Sequence, residues 1–325
     1  MRPAFSVVFL TTLIGVGQGL FFALFATEVS ASIGLLPAQS AAFFGRGSII
    51  AVGFLVAGLI ASFFHLGHPE RAWRAATKWR TSWLAREVIA LPVATGAIMV
   101  YGMVHYLHWA IVLPGSHSPL PDGLSLIVGA GAVAATLALF LCTGMIYACI
   151  RFLQEWATWL TVVNYMLFGT ASGLVLASAY SAYQSPQLEA FLVTWATVIT
   201  TVALVTRSAS LIRNARIRHK SSLQTAIGVR HGRIVQTAQG FMGGSFNTRE
   251  FFHGASPMLL RSLKWVFLLL VFPVPMLLLW DGLLSRSPAL ALVAFVVQYS
   301  GLLVERWFFF AQANHPQNLY YQAIS

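Results

Sequence analysis

Two residues whose types and spacing could do chemistry stand at the edges of one stretch, FFHLGHPERAWRAATKWRTSWLARE (63–87). His65 closes a long apolar run and Glu87 opens the next, each where apolar sequence meets charged sequence. The stretch between them carries five of the twenty Lys and Arg residues. Ionisable groups at the ends of apolar segments are costly to place and are functional candidates by default. A neutral imidazole and a partly buried carboxylate at one depth can grip a quinol head group and exchange protons with it, since histidine titrates near neutrality and burial favours the protonated carboxyl. A competing reading pairs Glu87 with Arg86 or Arg71 as a structural ion pair, and spacing alone favours it.

Other candidates follow the same logic. Tyr147, Arg151 and Gln154 recur at helical spacing where the fourth apolar segment ends, and could line the same pocket. Glu28 and Gln18 lie along the first segment, Glu28 toward its far end; a glutamine there usually bonds a neighbouring helix. Glu305 and Arg306 close the last segment, most simply as a structural pair. A b-type haem needs two histidines at one depth on different helices. His65 lies at the opposite edge from His105 and His108, so no haem is expected.

The elements that must position these residues follow from composition. The chain has 325 residues, 58% hydrophobic and 9% charged, against roughly 25% charged in soluble proteins. Apolar stretches of about 20 residues recur, each long enough to cross the hydrocarbon layer as a helix. Segments of about ten alternating residues, the mark of a membrane β-barrel, are absent. The expectation is an all-α polytopic membrane protein, one bundle of eight transmembrane helices formed by 1–325. The spans are placed at 5–28, 47–66, 85–108, 124–150, 160–181, 188–211, 263–283 and 288–311. The first is too long for the apolar core of a signal peptide and reads as a retained span.

Charge placement orients the bundle. Eighteen of the twenty Lys and Arg residues fall at the termini and in the even-to-odd connections, leaving Arg46 and Arg286 on the other side. The positive-inside rule then puts both termini and the loop 212–262 in the cytoplasm. The net charge of +11 reports topology, and nucleic acid is not expected as a partner. Cys142 and Cys149, the two cysteines, share one helix face and suit neither a disulfide nor a four-cysteine cluster. Any iron–sulfur cluster must belong to a partner.

Two connections exceed a tether. In 67–84, Pro69 and Glu70 suit a helix start, with Arg71, Arg74 and Lys78 on one face and Trp73, Trp79 and Trp83 at headgroup level. That predicts a short amphipathic helix on the inner surface, or else a solvated loop anchored by tryptophans. In 212–262 a basic run (RNARIRHK) suits lipid contact. GFMGGSFNTREFFHG mixes glycines with exposed aromatics, as a protein-docking surface would.

Over nearly its whole length the chain resembles the membrane anchor subunits of dimethyl sulfoxide reductase-type complexes, the DmsC family, related to the polysulfide reductase anchors. The resemblance rests on HLGHPERAWRA with SWLARE, GMIYACIRFLQEW, TVVNYMLFGTASGLVLA, GSFNTREFFHG and ERWFFFAQANHPQNLYY, in that order. It implies an eight-helix, haem-free anchor in a bacterial inner membrane that binds a quinone, ubiquinone or menaquinone. The implied partners are a four-cluster iron–sulfur protein docked on the cytoplasmic loops and a molybdenum protein with a bis-pterin cofactor. Family roles at the HLG histidine and at the acidic residue opening the next helix carry onto His65 and Glu87, with Arg71 a lesser candidate. The resemblance therefore favours function over the ion pair at Glu87.

The family includes reductases that draw electrons from quinol and sulfite dehydrogenases that deliver them to quinone. A cytoplasmic catalytic module fits the sulfite-oxidising type, which is the expectation here; the alternative is a quinol-oxidising anchor of an S- or N-oxide or polysulfide reductase. No continuous polar chain joins the two faces, so little charge translocation is expected. A second alternative, an anion transporter, would show inverted repeats with paired broken helices, and the sequence has no such symmetry.

Overall fold

The computed structural model describes residues 4–109, 121–218, 222–235, 237 and 256–315. The GFMGGSFNTREFFHG motif lies outside the described residues, as do the last ten positions. Among the described residues the chain is helical, with no strand and eight helical spans long and apolar enough to cross a membrane. These are α1 (Phe5–Ser32), α2 (Ala41–Phe63), α3 (Trp83–Tyr106), α4 (Pro121–Ala148), α5 (Trp159–Gln184), α6 (Glu189–Ala215), a seventh span made of α8 (Pro257–Val271) and α9 (Pro273–Ser285), and α10 (Pro288–Ala311). A short helix α7 (Leu223–Ile227) lies in the large loop.

The helices α1 and α5 form the centre. In their most apolar windows 72% and 67% of residues are buried, against at most 44% elsewhere, so the other helices give more of their surface to lipid. α2 and α4 pack on α1, and α3 packs on α2 and α4. α6 and α10 pack on α5, and α8 and α9 close that side against α10. Apolar side chains gain little by leaving lipid for another helix, so close backbone approach supplies much of the attraction. Gly15 and Gly19 of α1 meet Gly169 and Gly173 of α5 with this small-residue spacing. A Cβ on Gly173 would overlap the Gly19 and Leu20 backbone. Gly173→Val is therefore expected to force the two central helices apart at a cost of at least about 1–3 kcal/mol. The check is the monodisperse yield of the variant in detergent; a wild-type yield and elution volume would disprove this crossing.

The seventh span is broken where proline demands it. Pro275 has no N–H to give the Val271 carbonyl, and α8 ends there. Gln298 of α10 donates its Nε2 to that carbonyl at 3.2 Å, which keeps a buried acceptor satisfied across the break.

Several boundaries differ from the sequence expectation. α2 starts six residues earlier, capped by Ser40, and stops at Phe63, so His65 lies just beyond the helix instead of in its last turn. α4 ends at Ala148, so the supposed helical row Tyr147, Arg151, Gln154 does not exist: the last two belong to a turn. The 67–84 connection forms a 3-10 helix, Pro69–Lys78, with Pro at its first turn and Glu70 beside it. Its half-buried Ala72, Ala75 and Ala76 turn inward while Arg71, Arg74 and Lys78 are exposed. Arg207 and Arg306, counted as surface charges from the sequence, are buried in α6 and α10.

Candidate functional site

Glu87 is the fifth residue of α3, whose start is capped by Ser82 Oγ accepting from the Ala85 N–H at 3.3 Å. Four residues of helix place it about 6 Å inside the start. The side chain is 8% exposed and faces α4, where the Thr143 hydroxyl donates to Oε1 at 2.5 Å. Neither proposed ion-pair partner reaches it. Arg86 turns back, donating to the Trp79 and Arg80 carbonyls at 2.9 Å each and stacking over Trp83 at 4.2 Å. Arg71 lies 3.5 Å from the exposed Glu70. Among the described residues Thr143 is the hydrogen-bond partner of Glu87, and no cation pairs with it. A buried carboxylate without a counter-ion is costly as a charge and suited to taking and giving protons.

His65 follows α2 by two residues, its backbone N–H bonded to the Ser62 carbonyl at 3.3 Å. The imidazole is exposed on the protein surface, yet partial burial holds its pKa below the ordinary histidine value. It is therefore neutral at pH 7, with one N–H to donate and one lone pair to accept. α2 and α3 pack side by side, so His65 and Glu87 share one end of the bundle. No direct hydrogen bond joins them among the described residues; Glu87 sits about one turn deeper.

The remaining candidates separate. Tyr147 lies one turn beyond Thr143 on α4 and stacks on Tyr165 (5.5 Å, 17°) with Trp156, Phe309 and Phe310 edge-on around it. Arg151 is exposed in the turn after α4. The Gln154 carbonyl accepts from Arg213 at 3.0 Å. Gln18 forms the expected helix–helix bond, donating to the Thr136 carbonyl at 3.1 Å. At the opposite end of the bundle the Tyr101 hydroxyl donates to Glu28 at 2.6 Å, and His105 Nε2 lies 3.3 Å from the same carboxylate. A cavity of about 500 Å³ adjoins them. Phe21 and Phe25 pack against Tyr101, so an aromatic layer separates that cluster from the Gln18 level. Cys142 is buried and Cys149 exposed, both as free thiols. Among the described residues no three His, Cys, Asp or Glu side chains converge.

Sequence reasoning missed Thr143 and the role of Arg207. Thr143 carries no local signal, because only the α3–α4 packing makes it a partner of Glu87. Arg207 could have been found as a charge four residues inside the expected span boundary.

Comparison with known proteins gives the same family as the motifs. The chain is 55% identical to a sulfite dehydrogenase subunit of Allochromatium vinosum over 325 residues, covering both chains completely. A family model described as the DMSO reductase anchor subunit (DmsC) matches residues 2–321. With eight apolar spans and a match over almost its entire length, this chain belongs to the DmsC family of membrane anchor subunits of molybdenum oxidoreductases.

Proposed function

We propose that this chain is the quinone-reactive membrane subunit of a sulfite-oxidising molybdenum and iron–sulfur enzyme, with its catalytic partners on the cytoplasmic side of a bacterial inner membrane. The observation that carries the site is the buried Glu87 carboxylate held by a single hydroxyl, with no cation paired to it among the described residues, at the end of the bundle that also presents His65. The name of the 55% identical relative supports sulfite as the substrate. The charge asymmetry supports a cytoplasmic site; removing the two buried arginines from the count leaves it intact.

The stoichiometry balances on one side of the membrane. Sulfite and water give sulfate, two protons and two electrons; quinone takes up two electrons and two protons to become quinol. The partner subunits' molybdenum and iron–sulfur groups supply the two-electron oxidation and its conduction. On this chain His65 donates a hydrogen bond to a quinone carbonyl oxygen. Glu87 passes a proton inward as the ring is reduced, with Thr143 orienting the carboxyl. Arg71, exposed on the 3-10 helix between α2 and α3, and Tyr147 and Arg151, at the end of α4 and in the turn after it, are further candidates for the quinone site.

The test is copurification from native membranes with metal analysis and an assay of sulfite-dependent quinone reduction. Molybdenum and iron with sulfite activity are expected. Metals without sulfite activity, but with quinol-driven reduction of an S- or N-oxide, would reverse the electron flow; a metal-free chain purifying alone would sink the reading. The pH profile gives a sharper check on His65. Its depressed pKa keeps the imidazole neutral further into acid, so quinone reduction is expected to hold as pH falls through 6.5 and to decline only below that value. A His65-dependent limb centred above 6.5 would contradict the neutral-donor role.

A further inference from the structure

At the end of the bundle away from His65, residues of α1, α2, α3 and α4 line the cavity of about 500 Å³. The exposed Ala38, His108 and Trp109, from the connections between helices, form its rim. Its floor is Glu28, four residues before the end of α1 and so about 6 Å inside it. The residue is 9% exposed. Two neighbouring helices address its carboxylate. The Tyr101 hydroxyl donates at 2.6 Å and His105 Nε2 lies at 3.3 Å, both from α3, and Ser125 of α4 adds a further hydrogen bond. Three such neighbours suit an ionised carboxylate. Phe44 stacks on the His105 ring at 4.7 Å and Tyr101 meets it edge-on at 4.8 Å, which fixes the imidazole against Glu28.

This arrangement selects the sign and the size of a ligand. No Lys or Arg lines the cavity, so an anion entering it meets a carboxylate and no fixed cation. With a neutral imidazole the floor carries one negative charge, and a buried charge without a counter-ion is costly. The volume far exceeds that of a bare metal ion and falls in the range of small-molecule sites. An alkylammonium group answers both sign and size. Its three N–H donors find Glu28 and Gln39, whose Nε2 is taken by the Pro37 carbonyl at 2.8 Å and whose Oε1 is left to accept. Phe44 and Trp109 offer aromatic faces to its carbons and its charge.

We propose that this cavity seats a primary ammonium group on Glu28, carried either by an ethanolamine phospholipid of the nearer leaflet or by a soluble amine. Its rim lies where the helices end, with Trp109 exposed there as tryptophans are at a membrane interface. A lipid headgroup therefore reaches the floor without leaving the bilayer. The proposal uses neither His65 nor Glu87 and stands apart from the quinone chemistry.

The experiment uses the whole complex, stripped of native lipid and placed in phosphatidylglycerol nanodiscs at constant ionic strength. One sample stays so, one also contains phosphatidylethanolamine, and one receives soluble ethanolamine. A ligand bound only by the folded state stabilises it by mass action, and the unfolding midpoint is expected to rise by about 2–4 °C with an amine present. A rise with the lipid alone identifies the headgroup as the ligand, and a rise with soluble ethanolamine identifies a free amine. Glu28→Gln keeps the size and removes the charge, and Ala38→Phe narrows the rim without touching Glu28; each is expected to abolish the rise. If the glutamine variant does not assemble, the rim variant alone decides. No rise with either amine, or a rise that persists when the rim is narrowed and when Glu28 is neutralised, would overturn the proposal.

Discussion

Glu87→Gln is expected to reduce sulfite-dependent quinone reduction by at least about 100-fold, the lower end of what a positioned proton-transfer group contributes. The substitution isolates proton transfer. Glutamine has the same length, its carbonyl still accepts the Thr143 hydroxyl, and it removes a buried carboxyl that no cation neutralises, so the bundle should fold as before. Oxidation of sulfite by a water-soluble acceptor that takes electrons directly from the partner subunits should stay at the wild-type rate. That contrast separates a quinone-site defect from failed assembly. If the glutamine variant reduces quinone normally, Glu87 is a structural residue and electrons or protons leave by another route.

Glu305→Gln is expected to destabilise the fold strongly. It removes the one carboxylate that holds Arg207 and Arg306 and leaves two positive charges buried among Tyr165, Phe168, Phe267, Phe308 and Phe309. Removing one partner from a buried ion cluster costs about 3–5 kcal/mol. Aromatic faces offset part of this, Arg306 lying 3.9 Å from the Tyr165 ring centre, but each cation–π contact contributes only about 0.5–2 kcal/mol. The readout is the yield of folded chain and its unfolding midpoint in detergent. Because α6 and α10 meet through this cluster, a wild-type midpoint would mean that the arginines are solvated and the cluster is not closed.

Much of the architecture was legible along the chain. Hydrocarbon thickness sets the length of a span, so eight apolar runs became eight helical spans, their ends displaced and the seventh broken after Val271. The ends moved because caps and packing decide where a helix stops: Ser40 starts α2 early, and Trp156, donating its indole N–H to the Phe309 carbonyl at 2.9 Å, pins the turn that follows α4 onto α10. His65 and Glu87 could be singled out because ionisable residues are rare where apolar sequence begins and ends. Their partners could not.

By itself, then, the amino-acid sequence determined the membrane class, the number of spans, the asymmetry of charge and, through its motifs, the family. Tertiary structure alone decided which charges are paired. Arg86 adjoins Glu87 in sequence yet points to Trp79 and Arg80, while Thr143, 56 positions away, holds the carboxylate. Arg207 looks like one more cytoplasmic charge, yet it closes on Glu305, 98 positions later. The physical reason is the same in both cases. Span length and hydropathy are properties of one segment against the bilayer, whereas a buried charge is settled by whichever helix faces it.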